Sequence, residues 1–105
     1  MNGLYTLVTF DDTKENWFVI AETIYKNDKY SYLIKVNENE DDFINEFQVV
    51  KSSFTGFDEY METIDDNELL KEVIPLLLPE AKELMKDKDK LKEYLNWYFF
   101  LNYIC

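Results

Sequence analysis

The chain has 105 residues, of which 47% are apolar and 17% aromatic, and its formal net charge is -11. The length argues for one domain, and this much apolar material excludes a disordered tail. The 22 acidic residues face 11 Lys with no Arg and no His, a balance that excludes surfaces built to bind nucleic acid or anionic membranes.

The first half reads as strands. Leu4–Phe10 is β-prone and ends in the polar turn Asp11-Asp12-Thr13-Lys14. Trp17–Tyr25 follows, rich in aromatic and β-branched residues, and Lys26-Asn27-Asp28-Lys29 makes the next turn. Tyr30–Val36 is a third strand, Asn37 to Asp42 a charged loop, Phe47–Phe54 a fourth strand ending near Gly56, and Tyr60–Ile64 a short fifth. Connections this short favour antiparallel neighbours, hence a meander. In the second strand both faces are largely apolar, which predicts a sheet covered on both sides.

The second half reads as helix. Asp65 is the expected cap, with Glu68 at the capping-box position. Pro75 is expected to stop or bend this first helix. Pro79 would then sit in the first turn of a second one, running from Glu80 to the end of the chain. Leu84, Leu91, Tyr94, Leu95, Tyr98 and Leu101 fall on or near one stripe of it. The expected fold is α+β: an antiparallel meander of four to five strands followed by two C-terminal helices, in a single domain over 1–105. Residues 1–64 form its strand-rich acidic part and 65–105 its helical part.

The helical end carries an aromatic segment, Trp97, Tyr98, Phe99 and Phe100, that continues apolar to Ile104. A membrane span needs about 20 apolar residues, so this run is too short for one. It is expected to wedge into the core of its own domain, or else to meet a second protein. The lone Cys, Cys105, excludes an intramolecular disulfide, and nothing reads as a secretory signal, so a cytoplasmic setting is expected.

Catalytic constellations are scarce. A Ser or Cys nucleophile usually relies on a His base, and a zinc site needs Cys and His ligands. With only Gly3 and Gly56, neither the dinucleotide fingerprint nor the Walker motif is present. The carboxylates Glu38, Glu40, Asp41 and Asp42 cluster in one loop but lack the EF-hand spacing and its Gly. No enzyme activity, cofactor or metal is expected.

The stretch from Thr6 to Leu78 resembles the YrzB-like proteins, a family of short acidic proteins from low-GC Gram-positive bacteria. The resemblance rests on Leu7-Val8-Thr9-Phe10-Asp11-Asp12, Phe18–Ile24, Tyr30–Val36, Ser52-Ser53-Phe54-Thr55 and Met61–Glu68, in that order and spacing. It implies a compact strand-rich domain closed by a helix, and it implies no activity, cofactor or site. Glu80–Cys105 is an addition that short members lack.

Charge gives the functional expectation. Residues 1–70 hold 16 Asp/Glu and 5 Lys, whereas residues 71–105 hold 6 and 6. The first expectation is a non-catalytic acidic module that docks on a basic protein surface, a phage-type inhibitor imitating nucleic acid being one form of it. Asp41, Asp42, Asp58, Glu59, Asp65 and Asp66 are its candidate contacts. The second is a homo-oligomer assembled through the C-terminal aromatic helix, and the third a small carboxylate-based metal binder or enzyme.

Overall fold

The structure, a computed structural model, describes residues 4–56 and 58–104, with side chains to Phe100. The expectations for the side chains of Leu101, Ile104 and Cys105 lie outside the described residues or side chains. Five strands lie in sequence order in one antiparallel sheet: β1 (Leu7–Thr9), β2 (Asn16–Tyr25), β3 (Asp28–Val36), β4 (Phe43–Thr55) and β5 (Asp58–Thr63). Two helices follow, α1 (Asn67–Met85) and α2 (Lys88–Ile104). The α+β meander with two C-terminal helices is therefore the fold.

Local chemistry explains the strand ends. Tyr5 has φ 61, which breaks the extended backbone and shortens the expected first strand to Leu7–Thr9. Lys26 and Asn27, at φ 49 and 70, form a two-residue turn with both centres left-handed, the twist that hairpins prefer. Trp17 through Ala21 are all buried, so this half of β2 has no wet face. Phe18 and Ile20 face the helices, in a cluster with Ile34, Val36, Val49, Val73, Leu77, Ala81, Leu84, Leu91 and Leu95.

Trp17 and Val19 point the other way, into a second cluster with Val8, Leu33 and Val50. Leu4 and Phe10 from the β1 end and Met61 from β5 pack against that cluster. Phe10 and Met61 border the same grooves although they come from opposite edges of the sheet. Curvature thus covers, around Trp17 and Val19, the face that the helices leave open.

The helices depart from the sequence reading in two places. Asp66, not Asp65, is the N-cap of α1, accepting from the amides of Glu68 at 3.0 Å and Leu69 at 3.4 Å. Glu68 then stands one residue short of the capping-box position. The second correction is larger: α1 runs unbroken through Pro75 and Pro79. Both prolines are exposed and four apart, so the missing hydrogen bonds fall on the wet side. Val73, Leu77, Ala81 and Leu84 are buried along the opposite side, and that burial outweighs the proline cost.

The chain breaks after Lys86 instead. There Asp87 caps the next helix through Oδ1, which accepts from the Lys90 amide at 3.1 Å. α1 also guards the part of β2 that runs past β1. Glu80 Oε1 accepts from the Glu22 amide at 3.1 Å, and the Tyr25 hydroxyl donates to Glu72.

These placements predict opposite effects two residues apart. Leu77→Ala removes a fully buried side chain and is expected to cost about 2–5 kcal/mol. Pro75→Ala restores the amide that the Lys71 carbonyl lacks and is expected to add on the order of 1–3 kcal/mol. Denaturant unfolding of both variants measures this. Destabilisation by Pro75→Ala would mean that the helix does not run through position 75.

Candidate docking surface

In a meander, alternate connections share one end of the sheet. The β1–β2 turn and the β3–β4 loop therefore lie side by side, and residues of both border one groove, Thr13 to Asn16 on one side and Asn37 and Glu38 on the other. This end gathers Asp11, Asp12, Glu15, Glu38, Glu40, Asp41, Asp42 and Glu46, eight carboxylates, against Lys14, Lys35, Lys88 and Lys92. Glu62 on β5 extends the acidic region, since it borders a groove with Asp12 and Glu15.

Two asparagines hold the loops in place. The Thr9 hydroxyl donates to Asn16 Oδ1 at 2.6 Å, and Asn16 Nδ2 donates to Glu40 Oε1 at 3.0 Å. The first turn is thereby tied to the second loop. Asn37 then folds the loop on itself. Its Oδ1 accepts from the amides of Asp41 at 3.1 Å and Asp42 at 3.3 Å, and its Nδ2 donates to Asp41 Oδ1 at 2.7 Å. Side-chain amides of this kind mimic backbone turns, which is why Asn stands at the loop start. Glu40 takes φ 60 to complete the reversal.

The few cations shape this end. Lys35 Nζ lies 2.6 Å from Glu15 and 3.4 Å from Glu46, and Lys92 lies 3.4 Å from Asp42. The Lys35 hydrogen bond holds the Glu15 carboxyl below its usual value. The Phe43 amide, followed by Lys92, does the same for Asp42. Ile44 is 37% exposed and borders grooves on either side, an apolar group within the acidic field.

The six acids proposed from sequence do not come together. Asp41 and Asp42 belong to this end, while Asp58 and Glu59 start β5 at the far end of the 13-residue β4. Glu59 is not a surface acid. Its side chain is 1% exposed, and it lies 3.0 Å from Lys29, which also approaches Glu22 at 3.4 Å. Ser31 and Ser52, buried on the same sheet face, keep hydroxyls without a protein partner. Asp65 is exposed in the link to α1, and Asp66 spends its carboxylate on the helix cap.

What the sequence reading missed is that Asp11, Asp12, Glu15 and Glu46 join the loop cluster of Glu38, Glu40, Asp41 and Asp42. The signal was the meander itself, which puts the first and third connections at one end.

The aromatic segment also divides. Tyr98 and Phe99 pack against the main core, whereas Trp97 and Phe100 are exposed. Among the described residues no three Asp, Glu or Cys side chains converge as metal ligands would. Among the described residues no helix is long and apolar enough to cross a membrane. Compared with protein-family models, curated proteins and solved structures, the chain matches none.

Asn37→Ala should loosen the loop and cost about 1–2 kcal/mol by denaturant unfolding. The acid titration has a definite sign. Carboxyls held low in the folded chain contribute stability above their unfolded values and lose it as pH falls through the folded ones. Asp42→Asn and Glu15→Gln should therefore lower the melting temperature at neutral pH, with the gap to the parent closing below about pH 4. A gap that persists in acid would assign the loss to packing.

Proposed function

We propose that this chain is a non-catalytic acidic protein-binding module, and that the loop end of its sheet docks on a basic surface of another protein. The observation that carries the reading is the set of eight carboxylates on and beside two loops, one tied to the other by Asn16 and the second folded on itself by Asn37, with four Lys among them. Loops already pinned to a sheet lose little freedom on binding, so less of the attraction is spent on ordering them. A dense field of one sign speeds encounter with the opposite sign and rejects like-charged competitors. Ile44 gives the centre of such a contact an apolar anchor.

The narrower form of the proposal concerns the partner. A basic surface able to meet these acids is of the kind that binds phosphate backbones. A chain that covers it acts as an inhibitor imitating nucleic acid, for example of a nuclease or CRISPR effector. Charge supports this form: 22 acidic residues and no Arg.

Affinity purification from the native host at two ionic strengths tests the proposal. A basic partner should be retained at low salt and released at high salt, because a screening length of about 8 Å already weakens exposed pairs at physiological ionic strength. Asp11→Asn with Glu38→Gln, both exposed, should weaken binding by about tenfold, each charge contributing on the order of 0.5–1 kcal/mol, with no change in melting temperature. Asp58→Asn at the opposite end should leave binding unchanged. Equal retention at both salts, or equal damage from Asp58→Asn, would reject the loop end as the docking surface.

A further inference from the structure

The C-terminal part of α2 differs in kind from the rest of the surface. From Tyr94 to Cys105 the sequence holds no charged side chain. The core takes one side of this helix, where Leu91 and Leu95 are buried and Tyr98 and Phe99 pack beside them. The other side presents Trp97 and Phe100, 58% and 54% exposed, with their rings edge-on at 5.7 Å. Together with Asn96 they border an open apolar groove of about 350 Å³. Isolated exposed apolar residues are ordinary, but two adjoining rings on an uncharged helix face mark an interaction surface.

We propose that this face joins two copies of the chain, α2 against α2 about a two-fold axis. Charge selects this occupant. Residues 1–70 carry -11, so two copies repel through their sheet-borne surfaces, whereas residues 71–105 sum to zero. Following the Trp97 and Phe100 face back along the helix reaches Glu93, Lys90 and Asp89, all exposed and alternating in sign. A two-fold interface sets a patch against itself, so the patch must carry little net charge and be able to match its own image. Rings at the centre with alternating charges at the margin meet that condition. A basic partner drawn by the acidic loops finds no net charge here to pair with.

The pairing is independent of loop-end docking, and the two respond oppositely to salt. Docking weakens as salt screens attraction. Self-association strengthens as salt screens the repulsion between two chains of net charge -11.

Sedimentation velocity of the full chain over a concentration series tests the proposal. The mass should rise from one chain to two, at lower concentration as salt increases. Trp97→Glu with Phe100→Glu should weaken association at least about tenfold while circular dichroism and melting temperature stay those of the parent. A parent chain that stays monomeric throughout the series overturns the proposal. So does a double variant that pairs as tightly as the parent. Should the double variant unfold, acrylamide quenching of the parent decides. Trp17 is 6% exposed, so the quenchable signal is that of Trp97. Quenching that falls as concentration rises supports the interface, and constant quenching refutes it.

Discussion

Burial of both faces of β2 is the constraint from which the rest of the molecule follows. Trp17 to Ala21 are all buried, Trp17 and Val19 in one cluster and Phe18, Ile20 and Ala21 in another. A strand segment with no wet face needs two covers. α1 and α2 provide one, through Val73, Leu77, Ala81, Leu84, Leu91 and Leu95. The sheet provides the other by curling until Phe10 and Met61, from its opposite edges, share the second cluster. The requirement on α1 is strong enough to carry it through two prolines.

Covering both faces leaves charge few places to go. Along the strands the lysines are held by neighbouring acids: Lys29 by Glu22 and Glu59, Lys35 by Glu15 and Glu46, Lys51 by Asp28. The remaining acids collect in the connections. Because the meander returns its first and third connections to the same end, the molecule becomes polar along its strands, with one acid-rich end and one uncharged helix face. These two surfaces have different physics, and they carry the two proposals separately.

Much of this was legible in the sequence. Alternation along Trp17–Ile24, apolar at both parities, pointed to a sheet covered on both sides, and short polar turns pointed to the meander. The C-terminal segment, read as core or else as contact with a second protein, divides residue by residue, since Tyr98 and Phe99 turn inward and Trp97 and Phe100 outward. Residues 80–105 are no appendage, because Ala81, Leu84, Leu91 and Leu95 complete the core.

Three features were not legible, each for a physical reason. Proline propensity pointed to a break at Pro75, but it is a local preference that tertiary burial overrides. Asp65 and Asp66 are equivalent as cap candidates until backbone angles choose between them. Glu59 looked like a surface acid because burial of an ion pair depends on a cross-sheet neighbour, Lys29, thirty positions away. The six candidate acids were chosen by density along the chain, whereas the field depends on which loops share an end.

The account stands or falls on whether the loop end is where positive charge is received. Amide chemical shifts of the full chain during titration with a Lys- and Arg-rich peptide report this directly. The account predicts shifts concentrated in residues 11–15 and 37–46 that vanish on adding salt. Shifts spread evenly over the surface, or concentrated at the β2–β3 and β4–β5 turns, would contradict it.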